Sequence, residues 1–146
     1  MAYIDLIYFQ NRVKEDDLIT ITSDKGEDAI INENRINAVI SDAEAEFDNA
    51  AEYAGYSTPI TSPNDYIKRI IFDLALYYLY ARKYEDEEMK DVYVRYSKAH
   101  TKIDKIRKGE ILLNGITKNP VELISPLVTN KISQNRIFKN CVLKSL

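Results

Sequence analysis

The chain has 146 residues, of which 45% are hydrophobic and 29% charged, with a net charge of −3. This is the size and composition of one ordinary globular domain that folds without a metal or disulfide staple. The single cysteine, Cys141, excludes an internal disulfide framework, the four isolated glycines exclude a phosphate-cradling loop or dinucleotide fingerprint, and no apolar run approaches the roughly 20 residues of a membrane span.

The opening residues Met1-Ala2-Tyr3-Ile4-Asp5 carry no basic leader region, so synthesis and residence in a cytoplasm are expected. Ile4, Leu6, Ile7, Phe9 and Val13 then form a short helical pattern. An acidic start, Glu15-Asp16-Asp17, leads into Leu18-Ile19 and a second helical turn, and Ser23-Asp24-Lys25-Gly26-Glu27-Asp28 reads as a loop. A third helix begins near Asn32 or Asn34, either of which can cap it. Its stripe is Ile36, Val39, Ile40, Ala43, Phe47, Ala50, Ala51 and Ala54, and Gly55 occupies the position after its end. Pro59 and Pro63 make the next segment a crossing loop.

Ser62-Pro63 reads as a cap followed by a first helical residue, with Asp65 in the first turn. Ile67, Ile70, Ile71, Leu74, Tyr77, Tyr78 and Ala81 recur at helical spacing, and Arg82 and Lys83 close this fourth helix at the negative end of its dipole. After Glu85-Asp86-Glu87-Glu88, a fifth helix places Val92, Tyr96, Ala99, Ile103 and Ile106 on one stripe and stops at Lys108-Gly109. The acidic run is read as favourable charge at the start of that helix. The pattern predicts an all-α protein, a small antiparallel helical bundle with short N-terminal helices and an extended C-terminal tail. The body covers residues 1–113 and the tail residues 114–146.

The tail is unlike the body. Beyond Glu110 the bases Lys118, Lys131, Arg136, Lys139 and Lys144 face one acid, Glu122, a net +4 that leaves −7 upstream of it. Asn114-Gly115, Asn119-Pro120 and Ser125-Pro126 break any helical period, yet Ile124, Leu127, Val128, Ile132, Ile137, Phe138, Val142 and Leu143 make it far too apolar for a disordered segment. Either another chain orders it, by strand addition or in a groove, or it folds back on its own body.

A search for chemistry returns little. His100 is the only histidine and lies among Ser97, Lys98, Thr101 and Lys102, where it reads as a surface or interface residue. Cys141 has no activating partner nearby and reads as a small hydrophobe. Glu44 and Asp48 can share one helix face, the minimum for acid–base work, but nothing supplies further ligands. No catalytic, metal or cofactor-binding residue is assigned, and the chain is expected not to be an enzyme and to need no cofactor. Eleven tyrosines are the remaining oddity. Tyr77, Tyr78 and Tyr96 suit the core, whereas Tyr80, Tyr84 and Tyr93 suit subunit contacts, because a tyrosine has an apolar body and a polar tip.

The order of these patterns resembles a family of tailed-bacteriophage proteins typified by the phage Mu neck protein of the head–tail connector. The resemblance is carried by Tyr3-Ile4-Asp5-Leu6-Ile7, the acidic turn ending in Leu18, the helix from Arg35-Ile36-Asn37 to Phe47-Asp48, the Pro-containing crossing, the helix from Ile67-Lys68-Arg69 to Tyr80-Ala81-Arg82, and the closing helix from Val94-Arg95-Tyr96 to Glu110-Ile111. It spans about residues 1–113. It implies a virion structural protein of the neck, made in the host cytoplasm: an adaptor that forms a homo-oligomeric ring, a dodecamer, beneath the portal protein and supports a downstream neck or tail protein. Non-specific contact with DNA in the lumen is compatible with such a ring. The alternative is a soluble helical interaction module binding a protein or nucleic-acid partner. Under the ring reading, Asp86, Glu87, Glu88 and Asp91 of one copy face Lys98, Lys102 and Lys105 of the next, with Tyr84 and Tyr93 supplying buried area. The apolar residues of the tail named above are the expected portal-docking set.

Overall fold

The computed structural model describes residues 2–24 and 30–119. Five helices follow one another: α1 (Leu6–Gln10), α2 (Glu15–Thr22), α3 (Glu33–Tyr53), α4 (Asp65–Ala81) and α5 (Lys90–Arg107). The three long helices pack pairwise, and α1 and α2 lean on them. Their order is antiparallel. Arg95 of α5 meets Asp73 of α4 while Lys102 meets Tyr66, and Glu46 of α3 meets Tyr78 while Arg35 and Arg82 share Asp24. No strand occurs among the described residues, where Tyr56 and Lys118 form one isolated antiparallel bridge.

Local chemistry sets the ends of these helices. Asn32 caps α3, its side chain accepting the Arg35 N–H at 3.3 Å. At the other end Gly55 takes a φ of 87°, the Tyr56 N–H bonds the Ala51 carbonyl at 2.9 Å and the Gly55 N–H bonds that of Glu52, also at 2.9 Å. This is a Schellman motif, with Tyr56 and Ala51 buried as its apolar pair. Gly109 ends α5 in the same way, through Glu110 N–H to Lys105 and Gly109 N–H to Ile106. The start of α4 differs from the Ser62-Pro63 expectation. Asn64 is the cap, because its side chain accepts the Ile67 N–H at 3.0 Å, and the helix opens at Asp65. Thr20, Ile21 and Thr22 complete α2.

The core runs through all five helices, with Phe9, Phe47, Leu74, Leu79 and Ile103 wholly buried within it. On α3 the buried residues are Ile36, Ile40, Ala43, Phe47, Ala50 and Ala51, as the stripe anticipates. In α4 the buried set is far wider than one stripe: it adds Phe72, Asp73, Ala75, Leu76 and Leu79, while Tyr77 and Tyr78 stay half-buried and Ala81 is exposed. The cause is position. With α3 and α5 on two sides and α1 and α2 on another, α4 is the central helix and is covered almost all round. Tyr96 likewise lies at the rim of the core and not inside it. Ile7, in the short apolar pattern of α1, is 65% exposed, since a helix of five residues has too few turns to bury more than Phe9.

The N-terminal strap is held by polar contacts that give Tyr3 a structural role. Its ring packs edge-on to Phe47 at 5.8 Å, its hydroxyl donates to Asp48, and the same oxygen accepts the Ile60 N–H at 2.8 Å. Glu44 accepts the Tyr3 N–H at 2.5 Å and the Ile4 N–H at 3.3 Å. The two carboxylates that share a helix face therefore tie three parts of the chain together. Burial pushes both the Glu44 and Asp48 carboxyls above the usual carboxylate range, against the opposing pull of the bonds they accept from Tyr3. A folded-state value above the unfolded one means that the folded chain holds more protons between the two values. Stability from these groups is therefore greatest at low pH and declines as pH rises through the carboxylate range toward the raised values. Glu44→Gln keeps an acceptor oxygen and removes the charge. Thermal melts between pH 4 and 7 are expected to show a smaller decline with pH in that variant than in the parent, and a slope identical to the parent's would refute the assignment.

Candidate assembly surface

The outer face of the molecule is organised around the α4–α5 hairpin. Tyr77 and Tyr96 stack across it with ring centroids 3.8 Å apart and planes 16° from parallel, and Tyr78, Tyr93 and His100 gather round them. The tips are partnered: Tyr77 donates to Asp86 at 3.1 Å and Tyr78 donates to Glu46. Burial, and then these acceptors, hold both phenols above their ordinary value. His100 lies 3.7 Å from Glu46 and 3.5 Å from Asp104, half-buried at the edge of the cluster.

Every expected interface residue on the body can be placed. Glu85, Asp86, Glu87 and Glu88 are exposed in the turn that precedes α5. Since α5 opens at Lys90, only Asp91 of this acidic group sits in its first turn, and Met89 caps it without a side-chain bond. The run 85–88 is therefore a solvent-facing acidic knob that lies just ahead of the helix, outside its first turn. Tyr84 is half-buried against Tyr80, the ring centroids 5.9 Å apart, and with Met89 and Val92 the two line a cavity of about 540 Å³ rimmed by Glu87, Glu88 and Asp91. Tyr93 is 41% exposed, yet its ring lies 6.2 Å from Tyr77 and 6.4 Å from Tyr96, so part of it packs within the same chain.

Lys98, Lys102 and Lys105 share one face of α5 beyond Arg95, far from the acidic knob in the same copy. Lys102 extends over the Tyr66 ring at 5.4 Å. Ile124, Leu127, Val128, Ile132, Ile137, Phe138, Val142 and Leu143, together with Cys141, lie outside the described residues. Of the tail, residues 114–119 contact the body: Lys118 bridges to Tyr56, the Asn119 N–H bonds the Gly55 carbonyl at 2.8 Å, and the Leu113 N–H just before them bonds the Tyr56 hydroxyl at 3.0 Å.

Three features escaped the sequence reading. Asp73, 7% exposed on α4, is held by Arg95 through Nε at 3.0 Å and a terminal nitrogen at 2.5 Å. An aspartate inside Ile70-Ile71-Phe72-Asp73-Leu74 was the available signal, since an acid in a buried helical run needs a partner. The second is a cationic clamp on the C-terminal end of α2. Arg82 bonds the Ile21 carbonyl at 2.9 Å, Lys83 bonds those of Thr20 at 2.6 Å and Ser23, and Arg35 bonds that of Thr22. These cations satisfy carbonyls that a helix end leaves unpaired, and the Arg82 hydrogen bond keeps the Asp24 carboxyl below its ordinary range. Arg82 and Lys83 thus serve α2 as much as α4. The third is an arginine-lined cavity of about 390 Å³ between α1, α4 and α5, bounded by Tyr8, Arg12, Asp65, Arg69, Phe72 and Arg95.

This order of helices, from the strapped N-terminus to the closing α5, coincides with a family model described as bacteriophage Mu, Gp36, which matches residues 3–123. The chain belongs to the bacteriophage Mu Gp36 family. Its match extends past residue 113, where the body was expected to end, and takes in the segment that pairs with Tyr56. As a Gp36-family chain it is a bacteriophage protein, and among its described residues no helix is long and apolar enough to cross a membrane. No curated protein and no solved structure matches it.

Proposed function

We propose that this Gp36-family protein is a structural component of the virion neck, an adaptor that forms a ring beneath the portal and links the capsid to the tail, without catalytic activity. The observation that carries the reading is the family match over residues 3–123, joined to a body that exposes an acidic run at 85–88 and a row of lysines along α5. A closed ring of identical copies needs two different, complementary surfaces on each copy. The acidic knob at one end of the α4–α5 hairpin and the basic face of Lys98, Lys102 and Lys105 along α5 supply that difference. The stacked Tyr77–Tyr96 pair joins the two helices of that hairpin. The portal and a downstream neck or tail protein are the proposed neighbours along the axis, the apolar, basic tail being the proposed portal contact.

The test is made on particles and on the isolated chain. Mass spectrometry of purified virions is expected to find the protein in about a dozen copies per particle, and the full-length chain is expected to co-purify with the portal protein of the same phage. Absence from the mature particle and from portal complexes would overturn the reading in favour of a helical module that acts elsewhere.

A further inference from the structure

The arginine-lined cavity has a composition that asks for an anion. Arg12 stands 3.5 Å over the Tyr8 ring and Arg95 lies 5.4 Å from the Phe72 ring centre, so two guanidinium groups are held on aromatic faces. Arg95 is committed to Asp73, whereas Arg69 is exposed and makes no hydrogen bond or ion pair with the described residues. On α5, Lys98 and Lys102 follow Arg95 at helical spacing, so the cavity is one end of a continuous basic strip. The complementary feature on the same molecule is the exposed knob 85–88. It cannot reach the cavity of its own chain, because Arg69 lies twelve residues before the end of α4, about 18 Å of helix at 1.5 Å per residue.

Resting on the ring reading, we infer that the cavity bounded by Tyr8, Arg12, Asp65, Arg69, Phe72 and Arg95, where three arginines outnumber one acid, receives the acidic knob of a neighbouring copy, with Glu87 and Glu88 as the inserting groups. Guanidinium groups suit this role because each can take a carboxylate through two parallel N–H donors, and a ring stacked on an arginine keeps that fork oriented. The pairing moves the centre of the contact from Lys102 and Lys105 to the arginines at the α1–α4–α5 junction. A phosphodiester backbone fits less well, since Asp65 lines the same cavity and would face a continuous polyanion, whereas two carboxylates need only the guanidinium groups of Arg12 and Arg69.

The inference is tested by directed cross-linking in full-length chains carrying Cys141→Ser. Chains with Glu88→Cys and chains with Arg69→Cys are oxidised separately and as a mixture, while sedimentation velocity follows self-association of the parent over a wide concentration range. A cross-linked dimer appearing in the mixture, well above either chain alone, is expected. Glu87→Arg with Glu88→Arg is expected to weaken self-association at least tenfold at low salt, and Arg12→Glu with Arg69→Glu in the same chain to recover most of it. A parent that associates while the mixture gives no cross-link overturns the pairing and leaves the ring reading standing. A parent that stays monomeric at every concentration and on its portal overturns the ring reading, and this inference with it. If Arg12→Glu with Arg69→Glu leaves association unchanged but abolishes retention of duplex DNA, the cavity serves a nucleic-acid backbone and the inference is wrong.

Discussion

Replacing Phe47 by alanine is expected to lower the unfolding free energy by about 3–5 kcal/mol. Phe47 is wholly buried near the middle of α3, where its ring meets the edge of Tyr3, and Tyr3 in turn holds the crossing loop through the Ile60 N–H. Removing the ring therefore opens a cavity and also takes away the surface on which the N-terminal strap rests. Leu74, wholly buried on the central helix, is expected to cost about 2–5 kcal/mol when changed to alanine. Urea titrations of the two variants decide the matter. A midpoint for Phe47→Ala within error of the parent would show that α3 does not carry the core.

The second large effect is expected at the Asp73–Arg95 pair. Arg95→Ala leaves a carboxylate that is 7% exposed without its two donors, and breaking a fully buried pair typically costs about 3–5 kcal/mol. Arg95 itself keeps about half of its side chain in solvent, so water screens the pair and the expected loss falls to about 2 kcal/mol. Asp73→Asn with Arg95→Ala in one chain removes the unpaired charge and is expected to recover part of that loss. A double variant less stable than Arg95→Ala alone would mean that the Asp73 carboxylate is held by something other than Arg95. The same arginine bounds the cavity proposed above as a docking site.

Much of the fold was legible because helical signals are local. Asn32 and Gly55 delimit α3, and Gly109 ends α5, through bonds made within a few residues of each other, so the residues that create each end are neighbours in sequence. The stripe on α3 is readable for the same reason. The start of α4 was misplaced by two residues because Ser62-Pro63 and Asn64-Asp65 both carry an N-terminal signature, and only the bond from the Ile67 N–H to Asn64 chooses between them. The candidate surface was legible in part. The acidic run and the lysines of α5 are visible as charge, but their distance from each other, and the position of the run ahead of α5, depend on where the helices begin and how they cross.

By itself, then, the sequence determined the helical class, the order of the elements, most of the apolar residues that meet in the core, and the likeness to a bacteriophage Mu protein family. Each of these follows from periodicity and capping over one or two turns of chain. Only the tertiary structure decided that α4 is the central helix, that Arg35, Arg82 and Lys83 converge on the carbonyls of α2, that Tyr3 ties its strap to α3 and the crossing loop, and that Arg12, Arg69 and Arg95 border one cavity. Arg82 lies 61 residues from the Ile21 carbonyl it bonds, and Tyr3 lies 57 from the Ile60 N–H. Partners so far apart along the chain leave no local pattern, because what brings them together is the choice of packed faces, and that choice is set by the burial of the whole apolar surface at once.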